Sequence, residues 1–253
     1  MRERITRLVA ANADVVAAVG PRLQRYTADL LEDGSGRIRV VRLDPGLGPL
    51  HPGMRQPPPK QQVLMLGRTE DLELKGLDIA ARSIAAVPDA SGLGLLVRGA
   101  PPGECDTLHR TLVTFSGMAR ERIDVRPFTT DPGELRRDLL RSLVCVMPSR
   151  VEGFGLVALD AIAAGTPLLV SAKSGAAELL RDRLGRLAEP MLVDIADEPD
   201  TDVRCWSEAI ARVLADPAAA LRHADDVRHR LAPGLTWRHT VAAIVDAVVG
   251  WPA

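Results

Sequence analysis

A chain of 253 residues can bury a sizeable core, as one large domain or as a medium domain with an appendage, so its size permits an enzyme. A hydrophobic fraction of 46% beside a charged fraction of 26% excludes general disorder, and 3% aromatics leave too few rings for base-stacking platforms. The net charge of −1, without a long basic run, argues against nucleic acid as the main partner.

In chain order, Arg2, Glu3, Arg4 and Arg7 precede LVAANADVVAAVG, whose Asn12 and Asp14 interrupt what would otherwise resemble a signal-peptide core. ADVVAAV and RIRVVRL are predicted strands flanking one helix from Pro21 to Leu31, and LDPGLGPLHPGMRQPPPK is a turn-rich connector. Two strands are too few to close a sheet. Residues 1–58 are therefore expected to be a remnant or an appendage, and residues 59–253 the main domain.

From Gln61 onward, VLML (63–66), GLLV (94–97), RIDV (122–125), LVCVM (143–147), PLLV (167–170) and MLVDI (191–195) are apolar runs of strand length, as expected of strands buried on both faces. Helical patterns alternate with them. In KGLDIAARSIAAV, Leu77, Ala80, Ala81, Ile84 and Val87 share one face, while Asp78 and Arg82 read as an exposed i,i+4 pair. The alternation implies an α/β fold with a doubly wound parallel sheet. The tail from Val203 forms three helical stretches, with Pro217 opening the second and Pro233-Gly234 breaking before Trp237.

No segment is long and apolar enough to span a membrane. Cys105, Cys145 and Cys205 are odd in number, far apart and without metal-ligand spacing, which predicts a reduced, cytoplasmic compartment, with a place at the membrane periphery left open. His51, His109, His223, His229 and His239 show no metal spacing and read as structural or solvated.

Ligands of open α/β sheets bind outside the carboxyl ends of the strands. Those ends carry Gly67-Arg68, Arg98-Gly99, Arg126-Pro127-Phe128, the run from Pro148 to Gly155, and Ser171 to Gly175. Gly153 and Gly155 are expected to open a helix over 154–164, whose free N–H groups could approach a phosphate. That helix is apolar nearly all round and should be buried, yet it carries Asp160. About five residues in, and so roughly 7 Å along the axis, this carboxylate could hold a ribose diol; pairing with an arginine is the alternative. Taken singly, Glu152 reads as a solvated loop charge, and Arg68 and Lys75 as surface residues. Neither a dinucleotide fingerprint nor a phosphate-binding P-loop is present.

Together these residues resemble a known family, the retaining nucleotide-sugar glycosyltransferases of the group-1 type, which have the GT-B architecture of two facing Rossmann-like lobes. LMLGRTEDLELKGLD is similar to the family's strand, Gly-Arg, variable loop and Lys-Gly; LLVRGAPPG to its second strand and glycine turn; GLTWRHTVAAIV to its closing helix. VMPSRVEGFGLVALDAIAAGTPLLVSAKSGAAELL resembles its signature of Pro-Ser, an acidic-Gly-Phe-Gly loop and an acid eight residues on. The resemblance covers residues 61–250, and residues 12–47 resemble the last helix and strand of the other lobe.

The resemblance implies that Arg68 and Lys75 hold the diphosphate and its departing charge, and that Glu152 contacts the donor sugar. It further implies that the backbone of Gly67 and of Gly153, Phe154 and Gly155 lies beside sugar and phosphate, that Asp160 holds the ribose, and that Arg126 to Phe128 reads the nucleobase edge. The donor substrate would be a nucleoside-diphosphate sugar, with no metal or other cofactor and with an unspecified acceptor. Two departures stand out. Asp160 replaces the usual Glu and reaches about 1.5 Å less far, and residues 1–58 hold little of an acceptor lobe, which a longer chain or a partner subunit would have to supply. Three readings follow: a transferase or its donor half; a nucleotide-sugar binding module within a larger assembly; and a Rossmann scaffold, which would need no cations and glycines together at the sheet edge.

Overall fold

The computed structural model describes residues 8–10, 13–32, 39–88 and 92–249. Its N-terminal unit is a strand β1 (Val15–Val19), a helix α1 (Gly20–Leu31) with Pro21 in its first turn, and a strand β2 (Arg39–Leu43) parallel to β1. Next come β3 (Gln62–Leu66), a single helical turn α2 (Leu72–Lys75), α3 (Leu77–Ala86), β4 (Gly94–Ala100), α4 (Cys105–Ser116), β5 (Ile123–Pro127) and α5 (Pro132–Arg141). The second half runs β6 (Val144–Met147), α6 (Val157–Ala163), β7 (Leu168–Ser171), α7 (Gly175–Leu184) and β8 (Leu192–Val193), and closes with α8 (Pro199–Ala215), α9 (Pro217–Leu231) and α10 (Trp237–Val249).

The later six strands form one parallel sheet in the order β5-β4-β3-β6-β7-β8, doubly wound as the alternation predicts. Successive side chains along a strand point to opposite faces, and both faces are covered. Val63, Val144, Val146 and Leu169 pack toward α3, α4 and α8, where Trp206 is fully buried. Leu64, Cys145, Met147 and Val170 pack toward α5, α6, α7 and α9. That two-sided burial explains why these strands are unbroken apolar runs.

Three details of the sequence reading are corrected. The run MLVDI keeps only Leu192–Val193 as strand, because the chain then leaves the ladder and Ala196 N–H donates to Asp202 at 2.6 Å. The third-last helix starts at Pro199 rather than Val203. Asp78 and Arg82 do not pair: Arg150 takes Asp78, and Arg82 lies 3.3 Å from Asp200.

The connector is strapped to the main sheet domain. Leu47 N–H donates to Leu235 O and His51 N–H to Ala163 O, while buried Arg55 bonds Thr166 Oγ1, Leu140 O and Ser142 O. With no acid beside it among the described residues, burial pulls the Arg55 pKa down to about 10, so it stays charged at neutral pH. The N-terminal unit docks through ion pairs of Arg25 with Glu178 and Arg183 with Asp44, and through Thr240, whose hydroxyl donates to Asp44 O at 2.6 Å. None of the described helices is long and apolar enough to cross a membrane.

Candidate functional site

From β3 the chain winds outward through β4 to β5, then returns to build β6, β7 and β8 on the other side. The sheet order thus reverses between β3 and β6, and a crevice opens beyond their carboxyl ends. It forms a cleft of about 420 Å³ lined by Gly67, Arg68 and Lys75 from the β3 side and by Ser149 and residues 152–157 from the β6 side.

Glycines set this edge. Gly99 (φ +135°) brings β4 so close that an added Cβ would lie 1.9 Å from Gly67 O. Gly67 itself (φ +138°) faces open space, which leaves the strand end free for a ligand. Arg68 then reaches over the ring of Phe128, 5.7 Å from its centroid, and Phe128 is half exposed on the loop after β5. Gly76 (φ +72°) links α2 to α3 where a Cβ would lie 2.0 Å from Pro148 O, so the Lys-Gly pair is needed to seat the turn against the loop after β6.

That loop is held from its other side by Arg150. Its N–H donates to Leu74 O at 2.9 Å, its guanidinium to Glu73 O at 2.6 Å, and both Nη atoms reach the Asp78 carboxylate at 2.8 Å. Burial pushes the Asp78 pKa up, but the Arg150 hydrogen bonds and charge outweigh it and leave the carboxyl below its usual value. These ties bring Lys75 and Glu152 together, Nζ to Oε2 at 2.7 Å. Glu152 is thus no solvated loop charge.

Residues 153–155 are loop rather than helix. The helix starts at Val157, because positive φ at Gly155 (+96°) breaks the turn and Gly153 O packs where a Gly175 Cβ would lie, 2.2 Å away. Phe154 lines the cleft wall but is buried, with its ring where a Cβ of Gly20 would stand. Any ligand contact at 153–155 therefore falls to the backbone. Val19 and Leu23 also line the cleft, so the N-terminal unit forms one of its walls.

Asp160 is not buried. It lies exposed in a neighbouring hollow of about 200 Å³, between Gly48-Pro49 of the connector and Pro132, Leu135 and Arg136 of α5. No arginine pairs with it among the described residues, since Arg136 donates instead to Pro49 O at 2.9 Å. Although its edge meets solvent, crowding on its other sides strips enough water to raise its pKa above the usual carboxylate value.

Arg126 is committed elsewhere, to Asp124 at 2.7 Å and Asp138 at 2.6 Å. Asp138 is buried and also takes Arg98 Nε at 2.7 Å, tying α5 to β4 and β5. Sequence reasoning missed Asp138 as one more charge in GELRRDLLR. Its signal was position: three residues after Leu135 and one before Leu139, it falls on the inward face.

The chain matches, over residues 1–244, the family described as "Family 4 Glycosyltransferase in conflict systems". It is 30% identical over 226 residues to the D-inositol 3-phosphate glycosyltransferase of Mycolicibacterium paratuberculosis, covering 83% of this chain and 46% of that protein. Against the glycogen synthase of Mycobacterium tuberculosis it is 39% identical over 114 residues, 45% of this chain and 25% of that one. It thus spans about half the length of the glycosyltransferase and a quarter of the synthase. Sucrose-phosphate synthase from Thermosynechococcus elongatus superposes with a TM-score of 0.75 at 25% identity, covering 98% of this chain and 61% of that one. Anabaena HepE, solved with UDP and glucose, superposes at 0.72 with 15% identity over 98% of this chain and 66% of its own, a likeness of fold alone.

Proposed function

The chain belongs to the family 4 glycosyltransferases, and from that premise we propose that its cleft binds a nucleoside-diphosphate sugar and serves as the donor half of a retaining transferase. The observation that carries this reading is the meeting of Arg68, Lys75, Glu152 and an unobstructed glycine backbone in one cleft at the sheet's reversal point. Arg68 and Lys75 would hold the diphosphate and stabilise the charge that gathers on it as the glycosidic bond breaks, an electrostatic mechanism that calls for no metal or other cofactor. Glu152 would face the sugar. Asp160, in the adjoining hollow, would take the ribose directly or through water. Phe128 and the backbone of its loop would border the base, since the Arg126 side chain is occupied.

One observation favours a second reading, a nucleotide-sugar binding module within a larger assembly. Among the described residues, the N-terminal wall brings only Val19 and Leu23 into the cleft, and neither side chain can orient an acceptor hydroxyl. A second lobe or subunit would supply that function. An exposed apolar stripe on α10, made of Trp237, Val241, Ile244, Val245 and Val248, lies beside the two-stranded sheet and supports a further contact there.

Holding the acceptor against the anomeric carbon can account for about 7 to 11 kcal/mol of a transfer barrier. The expected outcome for the 253-residue chain alone is binding of a nucleotide sugar with little or no transfer. The test is a product assay over a panel of nucleotide sugars and acceptors, run beside a binding assay, with the anomeric configuration of any product read by NMR. Efficient transfer by the chain alone would remove the need for a second lobe, an inverted product would refute retention, and binding of no nucleotide would overturn the donor-site reading.

A further inference from the structure

Lys75 and Glu152, which the proposed function sets against the diphosphate and the sugar, are bonded to each other at 2.7 Å. The two are held in register. Gly76 packs on Pro148 O with no room for a Cβ, and Arg150 bonds Leu74 O, Glu73 O and Asp78, so the segment bearing Lys75 is fixed to the loop bearing Glu152. A ligand can therefore separate the two charges only by turning the side chains, not by parting the backbones.

The Glu152 side chain is 16% exposed and has no other donor among the described residues. A diphosphate that draws Lys75 away would leave this carboxylate without a partner and beside new negative charge, an arrangement that costs free energy. A sugar on the diphosphate changes the balance, because its hydroxyls can donate to Glu152 as Lys75 turns to the phosphates. We propose that Glu152 is an internal competitor for Lys75, so that the cleft favours the sugar-bearing nucleotide over the bare nucleoside diphosphate left after transfer. This specificity role rests on the donor-site reading above.

The test is calorimetry of UDP, GDP and ADP, each beside its glucose conjugate, on the 253-residue chain and on Glu152→Gln, which keeps the shape and removes the charge. Glu152→Gln should bind the bare diphosphate about five- to twentyfold more tightly, only part of the worth of one charge-assisted hydrogen bond because the amide oxygen can still accept from Lys75. Its preference for the glucose conjugate should shrink by a similar factor. In a Lys75→Met background the same change should tighten binding by about twofold or less, because the competition acts through Lys75. Glu152→Asp, which shortens the reach and keeps the charge, supplies the comparison if the glutamine variant folds poorly, and it too should loosen the hold on Lys75. Unchanged or weaker diphosphate binding by the folded variant would overturn this inference and leave the donor site standing. Failure of the unmodified chain to bind any of the six probes would overturn both.

Discussion

An ionised Asp160 works against the fold. Nothing among the described residues pairs with it, and loss of water around it holds its carboxyl above the usual value. With a raised pKa, the native state keeps a proton that the unfolded chain has already released, so this group's contribution to stability falls as pH rises from the unfolded value through the folded one. Asp160→Asn should therefore leave the melting temperature at neutral pH unchanged or slightly higher, while weakening ribonucleotides more than their 2′-deoxy counterparts. Scanning calorimetry and nucleotide titration check this. A marked fall in melting temperature with unaltered nucleotide affinity would show that the carboxylate is structural. The sequence placed Asp160 on the right helix but not at the right depth. An all-apolar helical pattern implies burial, whereas the fold leaves one side of α6 open at the hollow beside the connector. The Lys75–Glu152 bond was likewise beyond sequence reasoning, because it joins residues 77 positions apart through a turn whose geometry depends on Gly76 and Arg150.

The decisive element is the pair of short helices α2 and α3 joined through Gly76. Gly76→Ala puts a side chain at φ +72° and 2.0 Å from Pro148 O, so it should cost more than the roughly 1 to 2 kcal/mol of a left-handed non-glycine residue. Gly117, at φ +66° with nothing within 4 Å of an added Cβ, is the matched control. Denaturant unfolding should show Gly76→Ala as the more destabilising change, and nucleoside-diphosphate binding should fall only in that variant, because it moves Lys75. Equal effects on both measures would separate Gly76 from the site. At this scale most of the strands were legible, because burial on both faces writes itself as unbroken apolar runs. What escaped were the edges: β8, which among the described residues pairs only with β7 and ends after Val193, and the start of α6, which the packing of Gly153 and Gly155 delays to Val157.

For the molecule as a whole, the N-terminal unit is docked along α7 and the loop after β6. Gly20 meets Phe154, Leu23 lies against Gly153, and Arg25, Arg42 and Arg183 form ion pairs that cross between this unit and α7. Such pairs are largely exposed and contribute little each; the seam between Gly20 and Phe154 is the apolar part of the contact. That docking was not legible because neither segment shows a pattern of its own that names the other. The signature from Pro148 onward was legible as a family resemblance, because its Pro-Ser, acidic-Gly-Phe-Gly loop and Asp160 stand at fixed spacings along the chain. The central claim is that Arg68 and Lys75 form a diphosphate site, and titration calorimetry of Arg68→Ala and Lys75→Ala with a nucleoside and its diphosphate tests it most directly. The expected result is a loss of about 1.5 to 3 kcal/mol in diphosphate binding for each variant, with nucleoside binding nearly unchanged; equal losses for both ligands, or no loss for either, would contradict it.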